Sequence, residues 1–369
     1  MGLSKSATLK LVSTIAIAFT LCFCYSREGR VIKLSSGGNV KGKVSLGGYH
    51  SCAVDEFNSL YCWGNNSFGQ IGNGSISDAV PPVNVLRDVV YVSAGVYYTC
   101  AIKKDNSLWC WGSNIGGQIG DGSKEEKLLP TRVLDDVIYV ATGWLHTCAI
   151  KKDNSLWCWG WNIGGQVGDG SEKEKLLPVK VLDDVIHVAT GWLHTCAIKK
   201  DNSLWCWGWN GAGAVGDGTR ENKLAPQKII DNIIYVSAGR MHTCALDKSS
   251  DLYCWGWNYF GQVGDGTNEN KLRPVKVGEK VMDVETGYWN TCAMMMNGKI
   301  SCWGDNSKGQ SLIKMYGLKD VRAISSGWFH TCAIKNDNSL WCIGDNSYGQ
   351  LGKSDKPEIS FQLSPVIIR

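Results

Sequence analysis

The residues best able to do chemistry in this 369-residue chain are its cysteines, and their spacing says what that chemistry is. Fourteen of the sixteen form seven pairs: Cys52/Cys62, Cys100/Cys110, Cys148/Cys158, Cys196/Cys206, Cys244/Cys254, Cys292/Cys302 and Cys332/Cys342. The members of each pair lie ten residues apart. The first six pairs recur every 48 residues and the seventh follows after 40. Zinc sites use close C-x-x-C pairs, or cysteine with histidine at short spacing, and a lone C-x9-C per unit supplies neither. An even number of cysteines in equivalent pairs behind an export signal reads as a disulfide framework, formed outside the cytosol.

Histidine and aspartate also recur. His50, His146, His194, His242 and His330 each stand two residues before the first cysteine of a pair, where Tyr98 and Asn290 replace them in the other two units. A ring of imidazoles could hold a metal around an axis. The plainer expectation is that each histidine bonds a neighbouring backbone group, which tyrosine or asparagine can also do. His187 stands where Tyr139 and Tyr235 stand in other units and reads as structural. Asp121, Asp169, Asp217 and Asp265 lie in G-D-G-[ST] turns. One carboxylate per loop is too few for calcium, so turn structure is expected. There is no nucleophile elbow, no H-E-x-x-H and no phosphate loop. Asp305 and Asp345 could form a carboxylate pair for glycoside hydrolysis, although nothing in their spacing demands it. No metal, cofactor or catalytic residue is expected, and the chain reads as a non-enzyme.

The elements that position these residues follow from one unit. Residues 138–143, β-branched and aromatic, stop at glycine. His146–Ile150 reads as a second strand, Lys151–Ser155 as a polar turn, Leu156–Gly160 as a third strand and Pro178–Val181 as a short fourth. Cys148 and Cys158 are symmetric about Asp153, so a hairpin centred there sets them opposite each other. A fixed period of this length marks a repeat architecture. Seven units of about four strands each predict an all-β, seven-bladed propeller over residues 43–369, its ring closed by N- and C-terminal strands. A straight solenoid would want atypical capping units. Here the C-terminal Pro365–Ile368 and the N-terminal Val44–Gly47 look like two parts of one unit divided between the chain ends. The sixth unit has lost eight residues after Gly309-Gln310, which predicts a trimmed outer loop.

The N-terminus reads as an export signal over residues 1–26, followed by a short linker over 27–42. Lys5 and Lys10 form a basic region, and Leu11–Phe23 is apolar but short for a membrane span. Cys24 and Ser26 suit cleavage before Arg27. Cys22 or Cys24 is alternatively the lipidated cysteine of a bacterial lipoprotein, although the residues before them match a lipobox poorly. The expected location is the extracellular space, the periplasm or a lipid-anchored position at the outer membrane of a bacterium, with no other membrane contact. The formal net charge of +4 and the lack of a long basic run argue against a nucleic-acid partner.

The run C-A-I-K-x-D-N-S-L-W-C-W-G-x-N-x-x-G-Q-x-G-D-G, preceded by V-x-A-G-x-x-H-T, resembles the regulator of chromosome condensation repeat. Seven copies span residues 43–369. Departures include Ile343 for tryptophan in the seventh, and Gly213-Ala214 for Gly-Gln in the fourth. The resemblance implies a seven-bladed propeller. Its founding eukaryotic members are nuclear exchange factors for a small GTPase, and that function sits poorly with an export signal and disulfides. The secreted branch, which includes β-lactamase inhibitory protein II, is the closer functional analogue. It grips a partner protein through aromatic loop residues on one propeller face.

Strand order places the G-x-x-H loops and the residues after W-G on one face, with the charged K-K-D-N turns on the other. The first loops carry Tyr49, Tyr97, Tyr98, Trp144, Trp192, Arg240, Met241, Tyr288, Trp289, Trp328 and Phe329. The second carry Asn65, Ser113, Trp161, Trp209, Trp257, Asp305 and Asp345. Both sets vary from unit to unit while the strands repeat almost verbatim. Aromatic, Arg and Met side chains on one surface have the composition of interface hot spots. The alternative is that these rings fold down into the channel or pack between blades. Residues Trp63, Trp111, Trp159, Trp207, Trp255 and Trp303 are expected in the core. The strongest patch is expected at blades three to five, around Trp144, Trp161, Trp192, Trp209 and Trp257. The expected function is a monomeric binding protein whose partner is most naturally another protein. The alternatives are a carbohydrate-binding or carbohydrate-active surface protein, since tryptophan also stacks on sugars, and a nucleotide-exchange regulator by family analogy.

Overall fold

The computed structural model describes residues 30–31, 43–311, 320–352 and 359–368. The expected export signal, with Cys22 and Cys24, lies outside them, as does most of the expected linker. Blade three shows how one unit is made. Its strands are Val137–Thr142, His146–Lys151, Leu156–Gly160 and Lys175–Leu182, hydrogen-bonded in that order. The hairpin between the second and third strands turns on Asn154, held at φ 64°, a left-handed conformation that asparagine tolerates. The Asp153 carboxylate accepts from both the backbone N–H and the hydroxyl of Ser155. That turn sets Cys148 opposite Cys158 with Cα atoms 4.1 Å apart, the spacing of a closely approaching cross-strand pair.

The same hairpin recurs in every unit, and each expected cysteine pair is a disulfide. The bridges are Cys52–Cys62, Cys100–Cys110, Cys148–Cys158, Cys196–Cys206, Cys244–Cys254, Cys292–Cys302 and Cys332–Cys342. All fourteen cysteines are buried. Cys302, at 5%, is the most exposed of them, and the others are fully enclosed. They therefore pack inside the blades as framework. Neither member of any pair, from Cys52 and Cys62 through Cys332 and Cys342, reaches a surface where it could bind a partner or exchange with an external thiol.

The fourth strand begins three residues earlier than the proline suggests. Lys175-Leu176-Leu177 is part of it because Leu176 packs where a side chain on Gly117 of the preceding blade would stand. The ladder slips between Cys158 and Gly160, opposite Pro178, so the missing N–H falls at an irregularity on an edge strand.

The core lies chiefly between blades. Trp159 of blade three is fully buried against Tyr98, Ile102, Leu108 and Ile119 of blade two. Burial of one such ring removes about 150–250 Å² from water, roughly 4–6 kcal/mol of transfer free energy before ordering costs. Glycine at position 120 is required by two constraints at once. It holds φ 86°, and any Cβ would strike the indole of Trp159.

The expectation that the histidines bond neighbouring backbone is corrected. Each reaches a hydroxyl of the next blade: His50 to Thr99 (2.8 Å), His146 to Thr195 (3.0 Å), His194 to Thr243 (2.9 Å), His242 to Thr291 (3.0 Å) and His330 to Ser51 (2.8 Å). Each hydroxyl donates its one proton to a backbone carbonyl of the blade before it, as Thr147 does to Gln118 at 2.7 Å and Thr195 to Gln166 at 2.8 Å. A carbonyl can only accept. The imidazole Nε2 must therefore carry the hydrogen and donate it. The same carbonyl also accepts from the tryptophan indole N–H, Trp159 to Gln118 at 2.9 Å and Trp207 to Gln166 at 3.0 Å. Tyr98 replaces histidine by donating to the His146 carbonyl at 2.6 Å, with Thr147 Oγ1 at 2.9 Å. Burial holds the imidazoles neutral, pushing His50, His146 and His242 down to about 3 and His194 and His330 to about 4.

Seven blades, with no helix among the described residues, complete the propeller. Blades one and seven are each a continuous stretch of chain, which corrects the expectation of a unit divided between the ends. Val44–Leu46 pairs with the second strand of blade one, and Ile359–Pro365 with the third strand of blade seven. The ends do meet, as Arg30 and Val31 pair antiparallel with Ile368 and Ile367. Three strands of blade six are described, and the stretch where a fourth would come, 312–319, is outside the described residues. The joint between blades six and seven lacks two of the repeated bonds. Asn290 does not reach Thr331, its Oδ1 is buried without a hydrogen bond, and Ile343 has no indole to offer the Gln310 carbonyl.

Three outcomes are expected. Replacing Cys148 and Cys158 together by alanine should lower stability by about 2–3 kcal/mol, read as a lower guanidinium midpoint at unchanged slope. The joint between blades six and seven should exchange amide hydrogens faster than the other joints. Asn290→His should restore its missing bond, stabilising by about 1 kcal/mol and slowing that exchange. Stability should also fall as the pH drops from about 6.5 toward 4. In that window the unfolded histidines take up protons that the folded ones refuse, each costing up to about 1.4 kcal/mol per pH unit. A denaturation midpoint that does not move between pH 7 and pH 5 would contradict neutral, buried imidazoles.

Candidate binding face and channel mouth

Strand direction separates two faces as the sequence suggests. On one, the tight turns carry ion pairs, Lys104 to Asp88, Lys152 to Asp136 and Lys200 to Asp184 at 3.2–3.3 Å. They are exposed, and such pairs contribute about 0–1 kcal/mol each. The other face carries the loops that follow the first and third strands. The loops after W-G are held from within. The Asn162 side chain accepts from the Val167 N–H at 2.8 Å and donates to Asp169 at 3.1 Å, and Asp169 pairs with Lys175 at 2.6 Å. The same set recurs around Asp121, Asp217 and Asp265, so these aspartates build turns.

The first-loop aromatics meet one another around the mouth of the central channel. Trp144 packs on Trp192 with centroids 4.8 Å apart. The Arg240 guanidinium lies 4.3 Å from the Trp192 ring centre, 4.4 Å from that of Tyr288 and 5.0 Å from that of Trp289. Tyr288 packs on Trp328 at 4.2 Å, Trp328 meets Tyr49 at 6.2 Å, and Tyr49 stacks on Tyr97 at 6.2 Å. The arc passes through all seven blades. Among the described residues no ring contact joins Tyr97 to Trp144, so the arc is open there. Each of these side chains is half-buried: it leans on its neighbours and keeps an edge in solvent. Burial pushes the Tyr49 phenol up to about 12, so the arc carries no phenolate at neutral pH.

The second-loop set is divided. Trp257 joins the arc through Trp289 at 5.5 Å. Trp161 sits against Gly116, and Trp209 against Gly164, each covering the loop of the preceding blade. The five tryptophans of blades three to five therefore do not form one cluster. Ring contacts are densest from blade five through seven to one. Asn65, Ser113 and Asp345 are buried, and so is Tyr98, so none of them lies on the surface. The side chains of Asp305 and Asp345 each bond a serine and a glutamine of their own loop: Ser307 and Gln310, and Ser347 and Gln350. Six apolar residues of these loops, absent from the candidate set, complete the face. Ile115, Ile163 and Tyr259 are about 60% exposed, Phe260 and Tyr348 are also exposed, and Phe68 packs on Tyr97 at 5.0 Å. They occupy the two positions after the loop asparagine. The unit-to-unit variation that singled out the other loops also marks these positions.

Below the mouth the channel is polar, a cavity of about 190 Å³ lined by the first strands. Tyr139 and His187 are bonded at 3.2 Å, and Tyr235 donates to Glu285 at 2.8 Å, so His187 belongs to a lining network.

The profile of the regulator of chromosome condensation (RCC1) repeat matches residues 43–70, 89–118, 137–166, 185–214, 233–262, 282–310 and 321–350. A second profile of the same description matches five stretches between 58 and 294. No curated protein matches the sequence significantly. Solved structures with the same fold include human WBSCR16, at 21% identity and a TM-score of 0.74, over 84% of this chain and 94% of that one. Yeast RCC1 (Prp20), solved with Kap60 bound, matches at 19% identity and a TM-score of 0.59, over 88% and 74%. The CRINKLY WD40 ectodomain of the Arabidopsis thaliana receptor kinase ACR4 matches at 18% and 0.54, over 86% and 98%. With seven matched repeats on seven disulfide-closed blades, the chain belongs to the regulator of chromosome condensation (RCC1) repeat family.

Proposed function

We propose that this protein is an exported binding propeller, not an enzyme, and that it holds a partner protein on its aromatic loop face. The observation that carries the reading is the arc of half-buried rings around the channel mouth, flanked by the exposed Ile115, Ile163 and Tyr259. Large rigid rings packed edge to edge, with one rim wet, suit a protein interface. Seven disulfides support maturation in an oxidising compartment. They weigh against nuclear nucleotide exchange. The recurring histidines and turn aspartates, which would be the raw material of catalysis, are already engaged in bonds between blades and within loops.

Relatives supply the same kind of use. The yeast relative Prp20 is solved with Kap60 bound, and its binding properties to Gsp1p and histones accompany a second structure of it. These partners belong to those proteins, and the analogy carried over is protein binding by a propeller.

The test is capture from envelope and extracellular extracts by residues 27–369, beside a variant with Trp144, Trp161, Trp192 and Trp209 changed to alanine. The expected result is a protein held by the parent and lost, by at least tenfold, from a variant with an unchanged far-ultraviolet spectrum. Equal capture by both would assign those rings to packing. Retention of glycans instead, on an array, would favour the carbohydrate reading.

A further inference from the structure

Arg240 is the feature of this face that the stacking does not explain. Its guanidinium presents five N–H donors, yet it makes no side-chain hydrogen bond and no ion pair among the described residues, and its Nε is buried. Arginine in such a position normally faces a carboxylate or phosphate. Here three rings hold it, Trp192 and Tyr288 at nearly equal distances of 4.3 and 4.4 Å and Trp289 at 5.0 Å. A backbone bond from Trp192 N–H to the Arg240 carbonyl at 3.4 Å ties its loop to that of blade four. The fork is thus fixed in orientation with its donors unused, at the mouth of the channel cavity that Arg240 itself helps to line.

We infer that Arg240 is a receptor for a single carboxylate, presented by an aspartate or glutamate side chain of the protein that docks on the aromatic face. The inference rests on the binding reading above and names the chemistry of its centre. A cation already sheltered by rings loses little further hydration when an anion arrives, and the fork offers two parallel N–H donors to a planar two-oxygen group. The charge of the surroundings selects a monoanion. Among the described residues Arg240 is the only arginine or lysine lining the cavity, while Glu285 stands on its wall. A dianion such as phosphate would meet one positive charge and one opposing negative one. An acidic side chain can approach between the rings from the solvent side and stop above Glu285.

The probe is a pair of capped tripeptides, N-acetyl-Gly-Glu-Gly-amide and its Gln analogue, titrated into the full folded domain. The readout is the Arg240 Nε–Hε resonance, assigned by its loss in Arg240→Lys. The Glu peptide should shift that resonance saturably and quench the neighbouring tryptophan fluorescence. The Gln peptide should bind at least tenfold more weakly, and inorganic phosphate no more tightly than the Glu peptide. Arg240→Gln, with unchanged thermal midpoint, should abolish the difference between the peptides. Equal shifts from both peptides, tighter binding of phosphate, or no shift at tens of millimolar Glu peptide would overturn the carboxylate site. The two readings fail separately. A captured partner lost from the tryptophan variant but retained by Arg240→Gln would leave the binding face standing and remove the carboxylate. A carboxylate response with no captured protein would do the reverse.

Discussion

The structure depends on a hydrogen-bond junction repeated around the ring. A single backbone carbonyl, Gln118 for one, accepts both the hydroxyl of Thr147 and the indole N–H of Trp159 from the next blade. At joints with histidine the hydroxyl in turn accepts the Nε2–H of the blade before it, as Thr195 does from His146, while the Tyr98 phenol donates to the His146 carbonyl beside Thr147. All these groups are buried. A missing member leaves a donor or acceptor without water, which costs more than a formed bond contributes. Each blade is thereby fixed in height and angle against its neighbour, and the tryptophan that donates the bond also fills most of the space between them.

This constraint accounts for the division of labour along the chain. The strands repeat almost verbatim because histidine, a hydroxyl, tryptophan and a backbone carbonyl meet across most of the joints, and because glycines such as Gly120 must leave room for the indole. The disulfide keeps the second and third strands, which carry three of these groups, in one register. Nothing in the junction restrains the residues just beyond the strand ends on the loop face. Those are the ones that differ from blade to blade, and they build the aromatic arc and the Arg240 site.

The joint between blades six and seven is the exception. Asn290 and Ile343 remove two of the three bonds there, and the Thr331 hydroxyl on the Gln310 carbonyl is the one that remains.

Much of the fold was legible in the sequence because repetition turns local signals into a count. The cysteine period, the Asp-Asn turn midway between Cys148 and Cys158 and the β-branched strands specify seven stapled hairpins. Alternation of strand direction then assigns the loops to two faces. The partners of the histidines were not legible. His146 finds Thr195 forty-nine residues away, a relation that exists only once blade three stands beside blade four. The fates of the loop residues were decided at the same level. Asn65 and Asp345 occupy the same position as Trp161 and Trp209, yet they are buried because a short polar side chain can turn inward to bond its own loop while an indole cannot. That Arg240 lies between rings from neighbouring blades with its donors unused is likewise a property of the closed ring, since no single repeat contains the rings that hold it.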